Sequence, residues 1–200
     1  MSVADERRSL YRELVLAAAE REFARVGFTD ARMAAIAKAA DVSLATVYKT
    51  FPGKTEIWND LHAERMTALL AHVDTRVAAA GSPLERLLSG IAAVAEFLTE
   101  HPAYLELSLH ASSGWLTASA GHGVQRTVWG SGLDTIATGV EAARAAGELA
   151  DLRPRIAAGL VVSALQVWLA DWVDAGRDRA PAVVVDELVA HLRTMLTGVV

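Results

Sequence analysis

The stretch that decides the fold is residues 31–51, which read ARMAAIAKAADVSLATVYKTF. Apolar residues recur at helical spacing on both sides of Asp41, so the pattern predicts two short helices joined by a tight turn. Small Ala37 permits the close approach of the two helices, and Val47 supplies apolar contact between them. Asp41 stands where the chain must reverse in a left-handed conformation, which Asp tolerates better than most residues. This spacing is typical of a helix-turn-helix.

The second of these helices has side chains suited to the major groove of DNA. Ser43 is a favourable N-cap residue, and it directly precedes the helix. The residues that follow are short or can form hydrogen bonds, as contact with base edges requires: Leu44, Ala45, Thr46, Tyr48, Lys49 and Thr50. The pattern alone is also met by other pairs of short amphipathic helices.

Lys54 lies at the start of the next predicted helix, where the helix dipole disfavours a cation. An anion bound jointly by this lysine and the free amide groups of the helix end would explain its position. A DNA phosphate is such an anion. The alternative is a solvated lysine beside Glu56.

Proline and glycine divide the rest of the chain into further helices. The sequence shows no alternating run long enough to indicate a sheet. We therefore predict an all-α fold of about nine helices, in which a three-helix helix-turn-helix unit (residues 1–53) is fused to a helical bundle (residues 54–200). The predicted helices are one that ends at Gly27 and those at about 31–40, 43–51, 54–80, 83–101, 103–112, 124–147, 154–175 and 181–199, with a connection at 112–123.

Composition excludes several classes of protein. Hydrophobic residues make up 52% of the 200 residues and charged residues 22%, which excludes intrinsic disorder. The absence of cysteine excludes disulfide scaffolds, thiol catalysis and zinc ribbons. The apolar stretch 156–170 contains Gln166 and is too short to span a bilayer. With no visible signal peptide, the chain is expected in the cytoplasm, with no membrane partner.

The net charge of −5 is unevenly distributed along the chain. Residues 1–60 hold nine Lys and Arg against nine Asp and Glu, whereas residues 61–200 hold ten against fifteen. A local positive face on an acidic protein is compatible with DNA binding, because phosphate contacts act locally. An ordinary solvated surface is the alternative.

The segments Gly27-Phe28, 36–43 (IAKAADVS) and 46–54 (TVYKTFPGK) together resemble the DNA-binding domain of TetR-type transcriptional regulators. The resemblance covers about residues 10–60, and the remainder fits by length and helical character. It implies a homodimeric, ligand-responsive regulator, most simply a repressor that binds a palindromic double-stranded operator and is released by a small effector. By this resemblance Tyr48 and Lys54 bind phosphates, and Ser43 and Thr46 contact the DNA backbone or bases.

Other positions take their roles from the same resemblance. Leu44, Ala45, Lys49 and Thr50 are those that vary with operator sequence, and Arg7, Arg8 and Arg12 resemble an arm that reaches a minor groove.

Three residues depart from the pattern of the family. Ala31 replaces the common Thr or Ser cap of the second helix, which leaves that cap to Thr29 or Asp30. Asp41 replaces a common Gly in the turn. Leu44 is apolar where many relatives carry a polar residue, which suggests contact with a thymine methyl group.

The last two predicted helices carry wide apolar faces. The residues are Leu160, Val161, Ala164, Leu165, Trp168 and Trp172 on one, and Val184, Val185, Leu188, Val189, Leu192, Met195 and Leu196 on the other. Such faces are expected to be buried in a homodimer contact, and the resemblance implies a four-helix interface at this place. Packing within one chain is the alternative.

Large apolar side chains of the middle helices predict a pocket for a small hydrophobic effector. The candidates are Phe97, Tyr104, Leu105, Leu109, Trp115, Trp129 and Trp168, with His110 and Gln166 as polar anchors. For each aromatic residue a place in the core is the alternative. An effector would release DNA only by binding the other conformation more tightly.

The sequence contains no motif that indicates an enzyme. Its six histidines lack the spacing of a helical metal site, and no glycine-rich phosphate loop or nucleophile elbow is present. We therefore predict no catalytic residue, no metal and no cofactor. A helical protein–protein adaptor that has lost operator binding is the second non-enzymatic reading, and the presence of both Tyr48 and Lys54 argues against it.

Overall fold

The computed structural model describes residues 3–111 and 124–198, and within these ranges it contains nine α-helices and no strand. The helices are α1 (Val3–Asp30), α2 (Met33–Ala39), α3 (Leu44–Thr50), α4 (Lys54–Val77), α5 (Pro83–Glu100), α6 (Pro102–Ala111), α7 (Val124–Ala145), α8 (Pro154–Asp174) and α9 (Pro181–Thr197). The predicted all-α fold is confirmed. The predicted connection at 112–123 lies outside the described residues.

Proline marks the start of four helices. Pro83, Pro102, Pro154 and Pro181 are the first residues of α5, α6, α8 and α9. Proline suits this position because its fixed φ is already helical and the first turn does not use its missing N–H. The starts of these four helices were therefore predictable to within one residue.

The described helices form two compact units. The first comprises α1, α2, α3, the part of α4 up to Ala68, and α6; the second comprises the rest of α4, then α5, α7, α8 and α9. This grouping differs from a division at residue 53, because α6 packs along α1 and the first half of α4 joins the same core. As a boundary between DNA binding and sensing, residue 53 remains a prediction.

The core of the first unit forms around one face of α1. Val15, Ala19 and Phe23 are fully buried there, together with Ile57 of α4 and Leu105 of α6. Burial of each large apolar side chain contributes about 1.5–3 kcal/mol. Gly27 has a φ of 78° and breaks the helical geometry near the end of α1, so the chain turns towards α2 at the predicted residue.

The core of the second unit lies between α5, α7, α8 and α9. Its fully buried members include Leu88, Val140, Val161, Leu188, Leu192 and Leu196. The apolar face of α9 is therefore largely used inside the chain, and Trp172 of α8 is buried as well. For these residues the structure shows the alternative, which is packing within one chain.

Helix α8 is long and apolar enough to cross a membrane by length and composition, with a mean hydropathy of 1.7 over its best window. The expectation that this stretch is too short is wrong on that criterion, because the helix runs 21 residues, from Pro154 to Asp174. Core helices of globular proteins meet the same criterion, and Val161, Leu169 and Trp172 of α8 are buried.

Candidate nucleic-acid interface

The turn between α2 and α3 is built as the sequence predicts. Asp41 adopts a φ of 54°, the left-handed conformation expected at this position. The amide of Val42 then donates to the carbonyl oxygen of Ala37 at 3.1 Å, which closes the end of α2. Val47 and Ile36 are fully buried between the helices, so the orientation of α3 is fixed by packing.

The N-terminus of α2 differs from the prediction. Its N-cap residue is Arg32, and no side chain caps the helix. Thr29 and Asp30 are still part of the preceding helical segment, so neither is placed to cap α2. The cap predicted from those two residues is therefore wrong.

The exposed face of α3 is formed by Leu44, Ala45, Tyr48 and Lys49. Leu44 is 42% exposed and Tyr48 is 51% exposed, so both side chains are accessible to a partner. Residues spaced by one, four and five positions share one side of a helix. The structure thus brings together four of the predicted contact residues on one surface.

The hydroxyl groups of Ser43, Thr46 and Thr50 form hydrogen bonds within α3 and its N-cap. The amide of Thr46 donates to the Ser43 hydroxyl oxygen at 3.0 Å, and the two hydroxyl oxygens lie 2.8 Å apart. Thr50 donates to the carbonyl oxygen of Thr46 at 3.0 Å. Ser43 is therefore the N-cap that the sequence predicts. Contacts of Ser43, Thr46 and Thr50 with DNA remain predictions.

The ammonium group of Lys54 is bound within the protein. It donates to the carbonyl oxygens of Thr29 at 2.8 Å and Ala31 at 3.0 Å. The same nitrogen lies 4.7 Å from the centre of the Phe28 ring. These partners could not be predicted from the sequence, because they are backbone groups at the end of α1 and in the turn after it.

Arginines at the N-terminus belong to a helix. Because α1 begins at Val3, Arg7 and Arg8 are exposed residues of that helix. Arg12 binds Asp60 at 3.0 Å and also pairs with Glu64. Arg12 is therefore engaged by α4, and the minor-groove contact of Arg7 and Arg8 remains a prediction.

A partly buried ion pair and a set of ring contacts connect α1, α4 and α6. Arg65 donates two hydrogen bonds to the Glu20 carboxylate, at 2.9 and 2.6 Å. His62 Nδ1 lies 3.2 Å from the hydroxyl oxygen of Tyr104, and its ring is 4.4 Å from that of Trp58. Helical spacing places Trp58, His62 and Arg65 on one side of α4, but the sequence does not reveal their partners.

Burial shifts the pKa values of His62 and Tyr104. It lowers the pKa of His62 to about 4, although the nearby Glu20 carboxylate acts in the opposite direction. Burial also raises the pKa of Tyr104 to about 12, with Glu20 acting in the same direction. Both side chains are therefore neutral around pH 7.

The His62→Gln variant should make the protein less sensitive to acid. The pKa of His62 is 6.5 in the unfolded chain and about 4 in the folded protein. Its contribution to the stability of the folded state is therefore complete above pH 6.5. That stability is lost as the pH falls from 6.5 to 4, by about 2–3 kcal/mol. Urea unfolding at several pH values should show a smaller loss over this range in the variant than in wild type. A control, Ile57→Val, should lower stability equally at every pH; an unchanged pH profile of His62→Gln contradicts the assignment.

The predicted effector residues are divided between the two units. Tyr104 and Leu105 are buried in the first unit, and Leu109 is half-buried there. Phe97 is buried in the second unit. The side chains of His110 and Trp129, and the whole of Trp115, lie outside the described residues.

Gln166 and Trp168 lie on α8 in the second unit. Among the residues that the structure describes, none forms a hydrogen bond with the buried Nε2 atom of Gln166. Trp168 packs against the core of that unit, with its ring 4.7 Å from the ring of His191. A cavity of about 250 Å³ in the same unit is lined by other residues: Arg76, Ala79, Ala80, Glu85, Leu88, Ser89, Ala92, Val189 and Arg193.

One side of α8 presents a stripe of exposed apolar side chains, formed by Ile156, Leu160 and Val167. These residues are four and seven positions apart, so they share one helix face. Val183 at the start of α9 is also exposed. Of the residues predicted for a dimer contact, Leu160 belongs to this stripe, whereas most of the others are buried inside the chain.

The described residues were compared with the requirements of a metal site. Within residues 3–111 and 124–198, no group of three or more acidic or histidine side chains is arranged to hold a metal ion.

Comparison with known proteins places this surface in a family. Residues 15–61 match the family described as bacterial regulatory proteins, tetR family. No curated protein matches the sequence. The match spans the second half of α1, then α2, α3 and the start of α4, and includes the DNA-contact residues predicted from Ser43 to Lys54.

Solved structures resemble nearly the whole chain. The ketosteroid transcriptional regulator KstR2 of Mycobacterium tuberculosis is 20% identical, with a TM-score of 0.76, and covers 93% of this chain and 94% of its own. The fatty acid degradation regulator FadR from Bacillus halodurans is 18% identical, with a TM-score of 0.74 and coverage of 92% and 98%. AibR, solved with isovaleryl coenzyme A and operator DNA, is 18% identical, with a TM-score of 0.74 and coverage of 94% and 98%. Residues 15–61 thus match the tetR family of bacterial regulatory proteins, and the chain has the fold of these solved regulators.

Proposed function

We propose that the protein is a ligand-responsive transcriptional repressor that binds a palindromic operator as a homodimer. The observation that carries this proposal is the exposed face of α3, where Leu44, Ala45, Tyr48 and Lys49 lie together on a helix fixed by its own cap. Large exposed side chains on a rigid recognition helix suit contact with base edges and phosphates. Catalysis has no comparable support, so we propose a binding protein of the cytoplasm and not an enzyme.

The homodimer is proposed to form through α8 and α9. The exposed stripe of Ile156, Leu160 and Val167 supports this contact, because exposed apolar residues in a row favour burial against a second copy. Two-fold symmetry would place two copies of α3 in successive major grooves, about 34–36 Å apart or somewhat further. The operator is therefore expected to be palindromic.

The effector is proposed to be a small, mainly apolar molecule with a hydrogen-bond acceptor. The buried Nε2 of Gln166 supports this choice, since a buried N–H without a partner favours a ligand that can accept its hydrogen bond. Phe97, Trp168 and the other predicted residues would supply apolar contact. Among the similar regulators, KstR2 is named as a ketosteroid regulator and FadR as a fatty acid degradation regulator. AibR was solved with isovaleryl coenzyme A.

Fluorescence anisotropy tests the proposed function. The purified protein is titrated into labelled DNA from upstream of its own coding sequence, at two salt concentrations, with an unrelated duplex as the control. Tight, salt-sensitive binding that prefers the upstream duplex supports a specific regulator. If neither this duplex nor any sequence selected from a randomised pool binds better than the unrelated duplex, the chain is an adaptor. Apolar acyl compounds are then added to the complex to screen for release.

The Lys49→Ala variant should change operator preference. Lys49 is exposed on the contact face of α3, and a lysine that contacts a guanine contributes about 1–3 kcal/mol of discrimination. Selection from randomised duplexes should therefore return a different base at one position of each half-site. The exposed Lys38 of α2 provides the control, since Lys38→Ala should return the wild-type sequence. Uniform weakening on all duplexes without a new preference would show that Lys49 contacts phosphate only.

A further inference from the structure

The side chain of Lys54 joins the two ends of the helix-turn-helix. Its ammonium group binds the carbonyl oxygens of Thr29 and Ala31, which lie 25 and 23 residues earlier in the chain. These carbonyl groups come directly before α2, and Lys54 is the first residue after the short link that follows α3. The contact therefore closes a loop that contains both α2 and α3. We call this contact the Lys54 clasp.

The end of α1 is a favourable place for a cation from elsewhere in the chain. The last carbonyl groups of a helix lack partners within it and carry partial negative charge. Helix α1 has no basic residue in its own last turn. Lys54 supplies the missing charge, and the ring of Phe28, 4.7 Å from its nitrogen, adds a cation–π contact.

The environment of Lys54 differs from that of the other two lysines. Lys38 and Lys49 are exposed, whereas Lys54 is half-buried. An ammonium group has three N–H donors, and two of those on Lys54 are directed at backbone carbonyl oxygens. The ammonium group of Lys54 therefore binds mainly within the protein. The family resemblance implies instead that it contacts a phosphate.

We propose that Lys54 is a positioning residue for operator binding, which acts by clasping the start of α4 to the end of α1 and so closing the loop that holds α2 and α3. Closing a loop of this length removes conformational freedom from the two helices before DNA arrives. A recognition helix that is already ordered binds with a smaller loss of entropy. The inference rests on the proposed function for its effect on DNA, but the clasp itself can be measured in the free protein.

Hydrogen–deuterium exchange and anisotropy together test the clasp. Lys54→Met keeps the apolar stem over Phe28 and removes the ammonium group, and Lys38→Met is the matched control on an exposed lysine of the same domain. Without DNA, peptides that cover residues 29–40 should exchange faster in Lys54→Met than in the wild type and the control. Operator affinity should fall about tenfold, the effect of one charge-assisted hydrogen bond. The slope of log K against log salt concentration should stay at the wild-type value, because no phosphate contact is lost.

Two results overturn the proposal. One is unchanged exchange at residues 29–40 in Lys54→Met. The other is a salt slope that falls by about 0.9, the loss expected for one phosphate contact. Phe28→Leu provides a second variant if Lys54→Met does not fold: it keeps the charge of Lys54, so faster exchange and weaker binding there support positioning, and wild-type values for both oppose it. A wild type that binds no operator refutes the proposed function, while the exchange data still test the clasp.

Discussion

A Val167→Glu substitution should convert the protein to a monomer and remove tight operator binding. Val167 is 61% exposed in the single chain, so a carboxylate there costs the isolated fold little. In the proposed dimer the same carboxylate would be buried against its symmetry copy, where two like charges without partners oppose association. Sedimentation equilibrium should show the change from dimer to monomer at micromolar concentration.

The loss of DNA affinity follows from the loss of the second recognition helix. Joining two half-site contacts in one dimer raises affinity by about 10²–10⁴ over a single contact. Anisotropy on a palindromic operator should therefore show a loss of this size in Val167→Glu, with little change on a single half-site. Leu70→Glu is the matched control, since Leu70 is also exposed but lies on α4. A dimeric Val167→Glu variant would place the interface elsewhere.

An Arg65→Met substitution should destabilise the first unit more than Glu20→Gln does. The Glu20 side chain is 8% exposed and that of Arg65 is 29% exposed. Removing Arg65 leaves a buried carboxylate without its partner, which costs about 3 kcal/mol or more. Removing the charge of Glu20 leaves an arginine that can turn towards solvent, so the cost is nearer 1–2 kcal/mol.

Thermal unfolding followed by circular dichroism measures this difference. For a chain of this size, about 3 kcal/mol lowers the Tm by about 6–12 °C. The exposed Arg21 on α1 provides the control, and Arg21→Met should change the Tm by about 2 °C or less. Equal effects of Arg65→Met and Glu20→Gln would mean that the buried carboxylate is less costly than its exposure indicates.

Much of the fold was predictable from the sequence because local signals determine it. Proline at the starts of α5, α6, α8 and α9 and the left-handed Asp41 fix element bounds without reference to the rest of the chain. The contact surface was predictable for a similar reason, since Leu44, Tyr48 and Lys49 project from one short helix.

Contacts between distant segments were not predictable. Glu20 and Arg65 are 45 residues apart, and Lys54 binds backbone carbonyl oxygens, which are present at every position and leave no mark in the sequence. The apolar face of α9 shows the same limit, because spacing identifies a face but not what covers it. Residues such as Leu188 are covered by the chain itself, and the exposed stripe of α8 became visible only once the core was packed.

On α3, the residues that stabilise the helix differ from those that face outwards, and this affects how the DNA specificity of such a regulator can change in evolution. Ser43, Thr46 and Val47 cap and anchor the helix, whereas Leu44, Ala45, Tyr48 and Lys49 face outwards. Mutations at the outward positions can therefore accumulate at little cost to folding. After gene duplication, one or two such changes could redirect a copy to a new set of promoters while its packing stays intact. The outward face of α3 can in this sense change while the residues that cap and anchor the helix stay the same.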